Sequence, residues 1–204
     1  MQNVSATRME LLRLRRRLEL ATRGHKLLSQ KRDEISRHLI QIARQIGPLR
    51  RQVEQQLGQT FRRFMLARAS MEPEAVKGAL AVPTKRFALS VSIASIMNVR
   101  VPHLSKEIAG QIICYGYMQT SGEMDVALLA LEKVFDRLIE LAEKERQARL
   151  LAIELNLTRR RVNVLEYVMI PELHQTIRFI NNKLAEAERD NTSRLMKIAS
   201  MIRQ

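Results

Sequence analysis

Four histidines, one cysteine and twenty-one carboxylates are the side chains of this 204-residue sequence that could hold a metal or attack a substrate. Their spacing suits neither task. His25, His38, His103 and His174 are far apart and share no metal-ligand spacing. Cys114 stands alone, so it forms no intrachain disulfide and cannot by itself build a zinc site. No serine or cysteine lies in a nucleophile context, and neither GxxxxGK nor GxGxxG occurs. The carboxylates alternate with Lys and Arg, as in Glu140 to Arg146, which is the pattern of a solvated helix face. The sequence is therefore expected to be non-catalytic, with no catalytic, metal-binding or cofactor-binding residues and no cofactor. The remaining chemistry is charge. Lys and Arg number 35 against 21 acidic residues, a net +14. Residues 1–70 carry +11 of it, 71–120 carry +2 and 121–204 carry +1. A basic N-terminal arm points to nucleic acid, an anionic membrane face or an acidic protein partner.

Long helices must carry that arm. Leu11, Leu14, Leu18, Ala21, His25, Leu28, Arg32, Ile35, Leu39, Ile42, Ile46, Leu49 and Val53 are spaced alternately three and four apart, and eleven of the thirteen are apolar. A 3.5-residue repeat of this length marks a helix that supercoils with a partner. Thr7 to Glu10 fits a capping box, and Met71-Glu72-Pro73 fits a stop, so the helix is predicted over 7–70, roughly 90 Å. Gly47-Pro48 should kink it, and the steps of four through Leu49, Val53, Leu57 and Phe61 should unwind it locally.

Residues 71–120 read as a connector punctuated by Pro73, Pro83 and Pro102. Alternation in Leu89–Ile93 and in Met97–Val101 predicts a β-hairpin over about 87–101, and Ile112–Tyr117 is a short apolar run that fits loop or strand. Thr120 to Glu123 offers a second capping box, and a second helix follows over 121–203. Its stripe is Leu128, Leu131, Phe135, Leu138, Ala142, then a break, then Ala148, Leu151, Leu155, Thr158, Val162, Leu165 and Met169, continuing past Pro171. The fold class is thus mainly α: a long antiparallel two-helix coiled coil of the N- and C-terminal helices, with a small hairpin at the connecting end, in one elongated domain over 1–204.

Setting Phe61 opposite Phe135 makes opposed residue numbers sum to about 196. His25 then meets Pro171, Leu28 meets Val168, Arg32 meets about Val164 and Leu49 meets Gln147. The Gly47-Pro48 kink falls level with the break in the second stripe, which makes that level a bend or docking notch. His25 in the seam either fixes register or contacts something outside, the former being favoured. Gly24 suits a site where another backbone packs close. Of Arg159, Arg160 and Arg161, at least one should lie near the seam.

These residues carry a resemblance. Thr7-Arg8-Met9-Glu10-Leu11, Thr22 to Leu28, Lys31-Arg32-Asp33, Asn98-Val99 to Pro102, and Arg159 to Tyr167 followed by Ile170-Pro171 resemble the D subunit of the V/A-type ATPases in order and spacing. Ala6, Gly47-Pro48 and the divergent Ser105–Ile113 depart from that pattern, and the short C-terminus resembles prokaryotic members. The resemblance implies a rotor axle in the central stalk that couples ATP hydrolysis or synthesis to ion translocation. Its implied partners are the A and B subunits of the head, the F subunit beside the coiled coil and the membrane-proximal C subunit.

On this reading Arg8, Arg13, Arg16, Arg23 and Lys26 would contact the head, and His25, Arg32, Leu165 and Pro171 would set shaft register. Leu49, Val53, Glu143 and Gln147 would dock the F subunit. The chain would be cytoplasmic and peripheral to the membrane through its complex, with no nucleic acid bound and no membrane insertion, since no run of about 18 apolar residues exists. Two alternatives stand. A basic coiled coil could bind nucleic acid, though the arm has no stacking aromatic before Phe61. A prefoldin-like chaperone shares the helix–hairpin–helix order, though here the helix tips carry Arg8 and Arg203.

Overall fold

The computed structural model describes residues 5–81, 84–116, 118 and 120–202. The expectations at Pro83, Tyr117 and Arg203 fall outside those residues. The chain is mainly helical, and a long N-terminal helix packs against the C-terminal helices. The elements are α1 (Arg8–Ala69), α2 (Pro73–Ala81), β1 (Arg86–Ile96), β2 (Val99–Ala109), α3 (Gly122–Val164), a π-helical turn (Leu165–Met169) and α4 (Ile170–Ile202).

The start of α1 is as expected: the Glu10 amide donates to Thr7 Oγ1 at 3.3 Å. The helix then runs 62 residues and continues through Pro48 without ending there. The first helix ends at Ala69, just before the expected stop, and Pro73 has a second role. It is the first residue of the short α2, the helical position where a missing N–H costs nothing. At α3 the cap is Ser121, not Thr120. Ser121 Oγ accepts from the Glu123 amide at 3.3 Å, while the Thr120 hydroxyl donates to the Gly116 carbonyl.

The hairpin is longer than the predicted 87–101. Its strands pair antiparallel from Arg86 opposite Ala109 to Ile96 opposite Val99. Met97-Asn98, expected within the second strand, forms the turn, with φ of 51° and 63°. Two positive φ values are what a two-residue type I′ loop requires to match strand twist. The Ser105–Ala109 stretch is strand β2, paired through to its end.

Two compact units divide the chain: residues 1–33 with 155–204, and residues 34–154. In the first, Leu11, Leu14 and Ala21 of α1 bury against Leu173 and Ile180 of α4, with Leu18, Leu165, Met169 and Ile177 packed around them. In the second, Ala67, Val76, Met124 and Leu128 form a small core completed by Phe64, Met71, Ile112 and Tyr115. The Tyr115 hydroxyl donates to Asp125 at 2.5 Å and ties the connector to α3.

Candidate functional site

In the first unit the seam is framed by polar pairs at the expected register. Arg8 reaches Glu188 at 2.6 Å and Arg15 reaches Asn181 at 3.5 Å. Closer to the π-helical turn the pairing changes. His25 Nε2 is buried, has no hydrogen-bond partner among the described residues and lies 3.5 Å from the Glu166 carboxylate, not beside Pro171. Pro171 is exposed, as are Val168 and Val164, and Arg32 donates to its neighbour Asp33 at 2.9 Å.

The cause is the extra residue in the π turn, where the Ile170 amide bonds to the Leu165 carbonyl five residues back. Leu165, Met169, Leu173 and Ile177 are each four apart, too many residues per turn for an unbroken α-helix to keep on one side. The π turn absorbs the excess and returns both halves of the stripe to α1. Leu165 accordingly packs onto the seam core, as do Met169 and Ile177. The run of fours around Pro171 was the sequence signal for this turn.

Arg159, Arg160 and Arg161 are all exposed, contrary to the expectation for one of them. Thr158 and Val162 are buried four apart, and the three residues between them fill the rest of the turn. The basic face of α1 is likewise solvated. Arg8, Arg13, Arg16, Arg23 and Lys26 are exposed, with Arg13 held 3.6 Å from Glu10 and Arg23 2.5 Å from Glu19. Gly24 marks no close packing: a Cβ added there would meet nothing within 4 Å.

The second unit adds the hairpin to the helix pair. Across the pair, Arg50 bonds Glu145 at 2.6 Å and Lys144 bonds Gln45 at 3.1 Å. The hydrogen bond from Arg50 to Glu145 and the carboxylate charge hold the Arg50 pKa above its usual value. Val53 is buried in the seam and Leu49 is half-buried. Phe135, expected opposite Phe61, instead meets Phe87 of β1 edge-to-face with centroids 4.7 Å apart, and Phe61 is exposed. So α3 packs against the hairpin as well as against helix. Ala127 and Val134 are buried, while Phe135 and the polar residues near it take the hairpin.

That hairpin side is a polar clasp. Lys85 pairs with Glu132 and Lys106 with Asp136. His103 Nδ1 lies 3.0 Å from Glu143 Oε1, and the Leu104 amide donates to Glu143 Oε2 at 3.0 Å. Gln147 Nε2 donates both to Glu143 Oε1 and to the Pro102 carbonyl. Burial alone would push the Glu143 carboxyl up. The hydrogen bonds from His103, Leu104 and Gln147, with the His103 charge, outweigh it and hold the pKa below the usual carboxylate value. Two of the four expected docking residues are therefore engaged by the chain's own hairpin. The break in the apolar stripe after Ala142 is where α3 turns polar to hold it.

The structure thus brings together ion pairs, seams and a clasped hairpin. Among the described residues no group of three or more His, Cys, Asp or Glu side chains could hold a metal ion, and no helix is long and apolar enough to cross a membrane. Residues 10–200 match the family model for the ATP synthase D subunit. The chain is 46% identical over 203 residues to a V-type ATP synthase D subunit of Acetivibrio thermocellus, covering 98% of this chain and 91% of that one. It is 43% identical to the protein of the same name in Clostridium novyi, over 98% and 95% of the two chains. The counterpart in Fusobacterium nucleatum is 42% identical, over 98% and 97%.

Proposed function

The chain belongs to the ATP synthase D-subunit family, and on that premise we propose that it is the axle of a rotary ATPase, carrying torque between a catalytic head and an ion-translocating membrane ring. The observation that carries this reading is the family match over residues 10–200, taken with a 62-residue helix seamed to the C-terminal helices. An axle needs torsional continuity and no bond chemistry of its own. Within each unit the helices pack through apolar side chains, and they are bridged by Arg8–Glu188 in one and by Arg50–Glu145 in the other.

The partners are the A and B subunits of the head, the F subunit and the membrane-proximal C subunit. The exposed Arg8, Arg13, Arg16, Arg23 and Lys26 face the head as a diffuse charged bearing. Many shallow, solvated contacts let a shaft turn, whereas a deep pocket would pin it at one angle. Leu165 sets the shaft's register at the π turn, where His25 lies beside Glu166, and Arg32 and Pro171 flank that stretch. The F subunit docks at the level of Leu49 and Val53, and Glu143 and Gln147 act there by fixing the hairpin. Through its complex the protein is cytoplasmic and peripheral to the membrane.

Co-purification with A and B head subunits, followed by single-molecule observation of ATP-driven rotation, tests the reading. The tagged chain should retain the head and turn with it. Failure to retain the head under conditions that keep the chain folded would exclude the role. Neutralising all five basic residues together should weaken coupling far more than any single change does.

A further inference from the structure

We propose that the free edge of β1 is a docking strand, which takes up an extended segment of another protein of the complex by main-chain hydrogen bonding. The sheet has two strands only, and among the described residues no main-chain hydrogen bond joins β1 to anything but β2. Every residue from Arg86 to Ser95 is exposed. Phe87, Leu89, Val91 and Ile93 share one face of the strand, and their exposure climbs from 37% through 47% and 59% to 71% toward the turn.

Natural edges are usually guarded by lysine, proline or an irregularity that prevents pairing. Here β2 carries Arg100, Pro102, Lys106 and Glu107, while β1 after Arg86 runs Phe87 to Ile96 with neither charge nor proline. The bare strand cannot turn inward, because Glu143, Gln147, Asp136 and Phe135 already fix the ribbon to α3. An unguarded edge of eleven residues with an apolar stripe is built to be paired.

Charge selects the occupant. Arg86 lies at one end of β1, and Arg100 lies opposite Ser95 at the other. A second copy paired in parallel would set Arg86 directly against its own counterpart. The fitting occupant is instead a strand with apolar residues at alternate positions and acidic residues near its ends. This inference rests on assembly with other subunits, and not on how torque is carried.

Residue-resolved hydrogen exchange on the full chain, alone and within the purified ATPase complex, tests it. The β1 amides that point away from β2 exchange freely in the isolated chain and should slow by ~10-fold or more on assembly, at every second residue. The double variant V91K/I93K changes two exposed side chains, so β1 amides bonded to β2 should stay protected while the added protection is lost. Assembly with the outward amides still unprotected would overturn the inference and leave the axle role standing. Protection that appears in the isolated chain and grows with its concentration would assign the edge to a second copy, which also overturns it. A chain that never enters the complex overturns both readings.

Discussion

In residues 1–33 with 155–204, the C-terminal helices have one partner, α1, and the packing is an apolar seam. In residues 34–154, α3 packs against α1, the connector and the hairpin, and the hairpin is held largely by ion pairs and hydrogen bonds. Both regions interrupt the simple heptad stripe, for opposite reasons. The first does so to keep a two-helix seam in phase, using a π turn. The second does so because a polar face is needed for a third element. An interruption in a coiled-coil pattern is thus informative by its chemistry. A run of apolar fours signals a change of winding, and a run of polar residues signals another body.

The sharpest way to break this comparison is to delete Val168 from the π turn. Without the extra residue the helix should become regular, and α4 should rotate by roughly 100° against its seam. Leu173 and Ile180 would leave the core, at a cost of several kcal/mol, on the order of two large core truncations. Hydrogen exchange should speed up across α4 and the first turns of α1, with the hairpin amides unaffected. Equal loss in both units would show that the seam is not specific to the turn. A milder cut in the same unit is Ile180→Ala, which is fully buried and should cost about 2–5 kcal/mol in urea unfolding.

The clasp offers the matching test in the other unit, through pH. The pKa of Glu143 is depressed in the folded chain, so its contribution is fully present above the unfolded value near 4.5 and is lost as pH falls through the lower folded value. Hairpin protection should therefore weaken below about pH 4.5, and Glu143→Gln should remove that dependence while costing about 1–2 kcal/mol. The apolar seam of the first unit should show no such step attributable to this group. At the far end of the ribbon, Gly110→Ala tests backbone rather than charge. Gly110 has φ +92°, and a Cβ there would lie 2.4 Å from the Thr84 carbonyl oxygen. The change should cost about 1–3 kcal/mol, read as faster exchange at the β2 terminus.

Much of this was legible beforehand where two bodies meet. The stripe from Leu11 to Val53, the Thr7 cap and the return helix were visible because periodicity reports a two-sided seam directly. The register held at Arg8–Glu188 and at Arg50–Glu145, on either side of the π turn, and departed at His25, which lies by Glu166 within it. The length of β2 was missed because Pro102, His103 and Lys106 break its alternation, and they do so because they serve the clasp or guard an edge. Met97 in the left-handed region is contrary to its preference, so the turn carried none of the usual Asn-Gly signal. Glu143 and Gln147 were singled out for an outside partner, and the structure shows them bonded to the chain's own ribbon. Sequence spacing alone could not tell the one from the other.

The smallest effect separates the isolated chain from its assembly. Gly24 is in the middle of α1, and a Cβ there meets nothing within 4 Å, so Gly24→Ala should stabilise the free chain by about 1 kcal/mol through backbone entropy. Gly58 in the other unit is equally open, and Gly58→Ala should gain a similar amount. The two substitutions are matched within the chain, so any difference between them arises outside it. Gly24 lies between Arg23 and Lys26, in the stretch proposed to face the head, which is where a partner's backbone could exploit the missing side chain. If Gly24→Ala raises the unfolding midpoint yet lowers retention of the head, while Gly58→Ala raises the midpoint with retention unchanged, the glycine is kept for a partner. If both variants assemble normally, Gly24 is only a tolerated cost in a long helix, and the head contact is made by charge alone.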